Sequence, residues 1–279
     1  MISMHTLGRA VLFLLAFAGG RALAQGMPFD LLDDPVQGPG VAAIEDDGTR
    51  PAEPRFRFAL GAGVGVAPTF PGSDNYRAGL LPFIAGAYGP VVFGFNQIGV
   101  RLYRDPRWRV STFLALAGGR YESDDARLRG LGDIDRTARL GLRVIYREGR
   151  FVALGQVAPD IAGQKQGTLA RLDLLARFHP VQGTSVFVGP GLTWADRQYT
   201  QSYFGVTPEQ STRSAFPEFQ TGAGLESARV VGGVLQRFGR PWFAMATVSA
   251  SRLLGDAANS PVIETRTQYA IFTSVMYIF

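Results

Sequence analysis

The chain of 279 residues has no cysteine, two histidines (His5 and His179) and one lysine, Lys165. Without cysteine there is no disulfide framework, no thiolate metal site and no cysteine nucleophile. Two histidines cannot build a multi-histidine metal centre, and no cofactor-binding motif stands out. Charged residues are 18% of the chain, below the usual level of about 25%. A polytopic helical membrane protein needs repeated apolar runs of ~20 residues, and the mean hydropathy of +0.07 is too low for one. A hydrophobic content of 46% is too high for a disordered chain.

The longest helix-like apolar stretch is short and N-terminal. Residues 1–24 have the plan of a secretory signal peptide: Arg9, then AVLFLLAFA over Ala10–Ala18, a break at Gly19-Gly20, and small residues in Ala22-Leu23-Ala24 before Gln25. The reading implies export, and no cysteine follows the expected cleavage site, so a lipoprotein is excluded. Residues 25–54 hold seven acids (Asp30, Asp33, Asp34, Glu45, Asp46, Asp47 and Glu53) against one base, Arg50. They are rich in proline and glycine without period 2 or 3.6, as in a mobile periplasmic segment. Such a segment is either a solvated leader or an acidic arm that docks on the rest of the chain or on a partner. From residue 55 onward 25 bases face 16 acids. In an exported protein this basic charge points to anionic headgroups or solutes, not to nucleic acid.

From Arg55 the side chains alternate. Phe56, Phe58, Leu60, Ala62, Val64 and Val66 oppose Arg57, Ala59, Gly61, Gly63 and Gly65, the period of a β-strand. The pattern recurs around Trp108–Leu116, Ala138–Arg147, Ala170–Phe178, Ser185–Trp194 and Tyr269–Phe279. Segments of ten to fourteen residues exceed the five or six typical of soluble sheets and match tilted transmembrane strands. The expected fold is therefore all-β: an antiparallel outer-membrane barrel over residues 55–279, apolar outside and polar inside. Ala78–Phe95 is free of charge, but Pro82, Gly86, Gly89-Pro90 and Gly94 interrupt it, and Gly89-Pro90 reads as a turn between two strands.

Connections alternate between short ones (Arg104–Arg107, Glu148–Arg150, Pro180–Gly183, Gly239–Pro241) and long ones (Pro68–Asn75, Glu122–Asp133, Ile161–Gly167, Arg197–Phe219, Gly255–Arg266). That is the arrangement of short periplasmic turns and longer extracellular loops. Trp108, Trp194 and Trp242 adjoin these connections and are expected in the interfacial girdles, with the terminal Phe279. The segments number eleven. Single-chain barrels close with an even number, so one strand is split or merged within Val91–Tyr103 or Thr221–Phe238. Twelve strands are expected, with ten as the alternative. The apolar alternation ending at Phe279 also looks like the signal read by the barrel-assembly machinery.

Four segments carry a family resemblance: Ala67–Tyr76 (APTFPGSDNY), Leu128–Leu142 (LRGLGDIDRTARLGL), Gly189–Ser214 (GPGLTWADRQYTQSYFGVTPEQSTRS) and Ser251–Pro261 (SRLLGDAANSP). In these and in their order the chain resembles the MipA/OmpV family of Gram-negative outer-membrane proteins. Phe70 stands where tyrosine is expected, Thr200 where methionine is expected, and the acidic leader is longer than the family needs. The resemblance implies residence in the outer membrane, among its lipid and lipopolysaccharide. It also implies a scaffold that bridges a murein lytic transglycosylase and a penicillin-binding protein that synthesises peptidoglycan. Other members are discussed as porins or adhesion proteins, and the family supplies no catalytic residues.

The residues themselves give little enzyme chemistry. His179 lies beside a short turn with Ser185 across it, and a hydrolase would need that base beside its nucleophile. Asp124-Asp125 and Asp133/Asp135 are acid pairs that could bind Ca²⁺ or act as acid and base. They are read as loop-end carboxylates paired with Arg127, Arg129 and Arg136. Asp256 is read as a turn cap, and the alternate glycines of Gly61–Gly65 as a thin lumenal wall. The pointed feature is an inward set: Arg57, Arg109, Arg139, Arg143, Arg171 and Arg177, with Asp173. An open barrel so lined is a narrow anion-preferring porin, the alternative function. If these arginines pair with inward acids or with the leader, the lumen is plugged. In the longest loop Tyr199, Tyr203 and Phe204 suit either a contact with a partner or a lid over the barrel mouth.

Overall fold

A computed structural model describes residues 56–239 and 241–279. The signal peptide and the acidic leader lie outside these residues. The chain forms twelve strands: β1 Arg57–Pro68, β2 Tyr76–Tyr88, β3 Val91–Gly94, β4 Gln97–Arg104, β5 Trp108–Ala117, β6 Thr137–Glu148, β7 Phe151–Pro159, β8 Thr168–Phe178, β9 Thr184–Ala195, β10 Gly224–Phe238, β11 Trp242–Leu253 and β12 Thr267–Ile278. Each pairs antiparallel with its sequence neighbours, and β1 pairs with β12 to close the barrel. Pairing of the first strand with the last closes the sheet on itself, as a spanning sheet requires. No helix among the described residues is long and apolar enough to cross a membrane.

The alternation read from the sequence is the inside–outside alternation of the wall. On β12, Gln268, Ala270, Phe272, Ser274 and Met276 are buried in the lumen, while Tyr269, Ile271 and Val275 face outward. The outward faces make a continuous apolar belt; Leu80 is 66% exposed and Leu116 61%. Aromatic rings gather where the short turns lie. Trp108 packs on Tyr146 at 4.7 Å, and Trp242, Tyr277 and Phe279 form edge-on pairs at 5.1 and 4.8 Å. Trp194, half-exposed at the outer end of β9, sits with the opposite rim. The rings thus lie toward the two rims of the wall, where interfacial aromatic belts lie in membrane barrels. Gly149, at φ +55°, allows the two-residue turn between β6 and β7, because only a residue without Cβ takes that conformation freely.

The twelfth strand comes from splitting Val91–Tyr103. A tight turn at residues 95–96 folds this segment into β3, of four residues, and β4. β3 therefore covers only Ala85–Tyr88 of β2, whereas β1 pairs along all of Tyr76–Ala87. Among the described residues Tyr76–Ile84 has no strand on its other side. Pro82 lies in this edge, where its missing N–H costs no ladder bond. The β5–β6 loop reaches across the top of the gap, and Asp124 pairs with Arg77 of β2 at 3.5 Å.

Glycines thin the lumenal and outer walls where rings cross. A Cβ on Gly141 would stand 2.1 Å from the Phe113 ring, one on Gly233 2.5 Å from Phe187, and one on Gly86 2.2 Å from Phe93. Each is a directly paired cross-strand neighbour, so the ring covers the bare glycine backbone. In β1, Gly61 and Gly63 leave room for Met276 and Phe272 inside the barrel.

Candidate functional site

The long connections fold back over the outer mouth and close it. The loop after β9 forms α1 (Arg197–Phe204) and α2 (Pro208–Arg213), and that after β11 forms α3 (Gly255–Asn259). Asp196 starts α1 by accepting from the Tyr199 N–H at 2.8 Å, and its other oxygen takes the Thr168 N–H at 2.8 Å. One helix cap thereby ties two loops together. The inner face of α1 then buries Tyr199, Tyr203 and Phe204 against Ile134, Ala195, Leu253 and Ala257. A second apolar cluster joins Phe70, Leu128, Leu131, Val206 and Val262 from four loops. Of the two readings of the aromatic loop, the lid is the arrangement found. Tyr199, Tyr203 and Phe204 are 8, 5 and 0% exposed and offer no outer surface to a partner, because an eight-residue amphipathic helix has nowhere but the mouth to place them.

Polar contacts fasten the plug. Arg120 donates to the Tyr203 carbonyl at 2.8 Å, Ser260 to the Phe204 carbonyl at 2.6 Å, and Gln166 to the carbonyls of Gly118 and Asp135 at 2.8 and 2.6 Å. Burial pulls Arg120 down to about 10 and pushes Tyr203 up to about 12. Partial burial disfavours the charged form of Asp125. Hydrogen bonds from the Arg127 N–H and from Asn75, Thr69 and Ser73 outweigh it, and Asp125 is held below its ordinary value. Asp160 behaves alike. Burial opposes its charge, and Thr137 with the N–H groups of Gln166, Ala162 and Gly163 overcomes that. The acid pairs thus differ from the expectation of partners at Arg127, Arg129 and Arg136. Asp124 reaches Arg77 of a distant strand, Asp125 ties the β1–β2 loop, and Asp133 accepts from the Glu122 N–H at 2.8 Å. Arg127 instead donates to the carbonyls of Val262 and Pro261. Asp256 accepts the Gly222 N–H at 2.6 Å, bridging to another loop where a local turn cap was expected. Among the described residues no three acid or histidine side chains converge as a metal site.

Below the plug the lumen is polar and narrow. Arg143 is wholly buried, donates from Nε to Gln156 at 3.1 Å and stacks over Phe113 at 4.5 Å. Arg139 donates to the carbonyls of Ala158, Gly167 and Gln166, at 2.7 to 3.0 Å. It therefore holds the β7–β8 loop inside the barrel. Asp173 receives Arg229 of β10 through three contacts of 2.7, 2.8 and 3.1 Å. Arg109 is buried opposite Ile145. Arg171 lies beside Tyr199 and Glu226 on a cavity of about 110 Å³ under the plug. Arg57 takes the register position opposite Ala87 in β1. Arg177 stands apart, at the short-turn mouth, where it lines a vestibule of about 590 Å³ with His179, Ser185, Arg237 and Phe243. Among the described residues no carboxylate lines that vestibule.

Sequence reasoning missed Glu226, Arg229 and Arg237 of β10. A bulge between Leu225 and Ser227 shifts the register there, so the two-residue period breaks where these residues begin. The bare alternation of Arg229, Val231, Leu235 and Arg237 after the bulge was the available signal.

A closed meander of twelve strands with an apolar belt, two aromatic girdles and plugged outer loops is a transmembrane barrel of the outer membrane. The family model for the MltA-interacting protein MipA matches residues 60–279, and the chain belongs to that family. It is 25% identical over 249 residues to the MltA-interacting protein of Escherichia coli (strain K12), covering 86% of this chain and 96% of that one. It is also 25% identical over 178 residues to the outer membrane protein Omp26La of Vibrio anguillarum, covering 61% of this chain and 65% of that protein. Among solved structures the NanC porin aligns over 79% of this chain and 98% of its own, at 8% identity and a TM-score of 0.41. The KdgM porin aligns over 78% and 98%, at 8% identity and a TM-score of 0.39.

Proposed function

We propose that the protein is an interaction barrel, and not an enzyme: a closed outer-membrane scaffold that presents its periplasmic face to a murein lytic transglycosylase and a peptidoglycan synthase. The observation that carries the reading is the plugged outer mouth. Loops folded into two apolar clusters and tied by buried hydrogen bonds cover that mouth. Membership of a family described by its interaction with MltA supports the same reading. The test combines two measurements on the mature protein. Planar-bilayer recordings give no steady conductance, and a purified murein lytic transglycosylase binds the immobilised barrel. Arg107→Glu with Arg150→Glu, exposed at two short turns, weakens that binding. Steady open-channel steps together with no binding would sink the proposal.

A second reading rests on the arginine lining of the lumen. If the plug opens in the membrane, the pore is anion-preferring. Arg177→Glu, at the vestibule and free of plug contacts in its strand position, then shifts the reversal potential in a salt gradient. An unchanged reversal potential counts against it.

A further inference from the structure

The vestibule at the short-turn end combines fixed positive charge with apolar wall. Arg177 of β8 and Arg237 of β10 line it from either side of β9, which contributes Ser185. Phe243 of β11, the register partner of Arg237, is 5% exposed inside the barrel, which fixes the face they share. The Arg237 guanidinium lies over the Phe243 ring at 4.8 Å. A ring beneath a guanidinium sets its plane and leaves its N–H edge to fork onto a carboxylate. The rim beside it is tied down. The Arg237 N–H donates to the Gly183 carbonyl at 2.8 Å, and Gln236 accepts from the Thr184 hydroxyl at 2.5 Å and donates to the Arg237 carbonyl at 3.1 Å. Arg237 is thus positioned before any ligand arrives, which lowers the cost of binding one. Among the described residues no carboxylate lines the vestibule, so its two guanidinium groups attract an anion that enters.

The rest of the lining selects among anions. Pro180, Val181, Leu235 and Phe243 are apolar, and an inorganic anion gains nothing from them. The volume of about 590 Å³ falls in the range of about 300–1,000 Å³ typical of pockets for organic ligands. A folded domain is too large to enter such a mouth. An extended chain segment fits, because its side chains leave both faces of the backbone and present carboxylates and apolar groups together. We propose that the vestibule is a docking site for an extended acidic peptide segment of a periplasmic partner protein. Arg177 and Arg237 hold its carboxylates, and Leu235 and Phe243 take its apolar side chains. Carboxylate–guanidinium pairs in a confined mouth are short and geometrically specific. The inference rests on the interaction role proposed above and gives that role a site and a partner chemistry.

The test uses the mature full chain in detergent at low salt and a fluorescent octapeptide alternating glutamate and leucine, followed by anisotropy. The peptide binds, and Arg177→Gln with Arg237→Gln weakens it by about tenfold or more. Arg129→Gln with Arg197→Gln removes equal charge from exposed positions at the outer end and leaves the affinity unchanged. A peptide with glutamine in place of glutamate binds about tenfold more weakly. The absence of native cysteine gives a second readout that needs no arginine variant. The glutamate peptide slows alkylation of Ser185→Cys, in the vestibule, and leaves Thr212→Cys, exposed on α2, unaffected. Equal binding of the two peptides would overturn the inference, as would displacement by inorganic phosphate at the same concentration. Protection of Ser185→Cys seen only after deletion of residues 25–54 would assign the vestibule to the chain's own acids and overturn it likewise. Capture of a purified murein lytic transglycosylase is read on the same preparation. Capture without peptide binding strikes the vestibule site alone, and peptide binding without capture upholds the site and strikes that enzyme as the partner.

Discussion

Asp173→Ala is the perturbation whose size the structure sets best. Asp173 and Arg229 side chains are 5 and 7% exposed, and three nitrogen–oxygen contacts of 2.7 to 3.1 Å join them over Gly191 of the intervening β9. Removing the carboxylate takes three close contacts from a buried guanidinium. Breaking a buried pair in this way costs about 3–5 kcal/mol, whereas replacing both partners with apolar residues of similar volume is near neutral or stabilising. Asp173→Ala should therefore lower unfolding stability by about 3–5 kcal/mol, and Asp173→Leu with Arg229→Met should restore most of it. Gly191 adds an internal check. A Cβ there would lie 2.0 Å from the Asp173 Oδ1 and 2.9 Å from the Arg229 Nε, so Gly191→Ala must displace the same pair and lose stability without touching either charge. The assay is urea unfolding of the refolded barrel in detergent, followed by tryptophan fluorescence and by electrophoretic mobility. A loss below about 1 kcal/mol for Asp173→Ala, or a double variant as unstable as the single, would refute the reasoning.

Other consequences are more local. Phe204→Ala removes a fully buried ring from the plug, should cost about 3–5 kcal/mol, and should speed protease cleavage of the 196–223 loop while the strands stay protected. Gly141→Leu drives side-chain atoms into the Phe113 ring, on which Arg143 stacks. Overpacking of about 1–3 kcal/mol should appear as a lower urea midpoint, and Gly141→Leu with Phe113→Ala should recover part of it. Asp125 and Asp160 are held below the ordinary carboxylate value of 3.8. Their contribution is complete above that value and is lost as pH falls through their lower native values. Protection of outer-loop amides, taken as the exchange rate relative to the intrinsic rate at each pH, should therefore fall below about pH 3.8 and stay flat from pH 5 to 8. Protection that declines steadily from neutrality downward would contradict the assignment.

The wall was readable because one physical rule, two-residue alternation, acts on every spanning strand. It placed the outward Leu140 and Leu142 and the inward Arg139 and Arg143 on opposite faces of β6. The parity of a closed barrel showed that a strand had been merged, and Val91–Tyr103 is where the extra turn lies. The plug was not readable in the same way. Asp124 finds Arg77, 47 residues away, and Arg127 finds Val262, 135 residues away. These partners follow from which loops share one rim, not from spacing. The inward arginines were legible as a class, while their separate tasks were not. Arg139 holds a loop, Arg143 stacks on a ring, and Arg177 lines the open vestibule, and only the three-dimensional wall assigns them to those places.

The two ends of the barrel are built on opposed principles, and this bears on where its work is done. The outer end uses its apolar side chains and its hydrogen bonds, charged and neutral, to close itself: Phe204, Leu128, Val206 and Val262 are at or near zero exposure. A surface that has buried its own anchors offers few to a partner, because binding energy concentrates in aromatic and arginine side chains still able to be covered. The short-turn end keeps such groups exposed. Arg150 lies over the rings of Phe151 and Phe178 at 5.2 and 5.9 Å, and Arg107 is exposed at another short turn. The vestibule at this end adds Arg177, His179 and Arg237. Under the proposed interaction role, charge reversal at the short-turn rim should change partner binding with the unfolding midpoint held, and truncation in the plug should do the reverse.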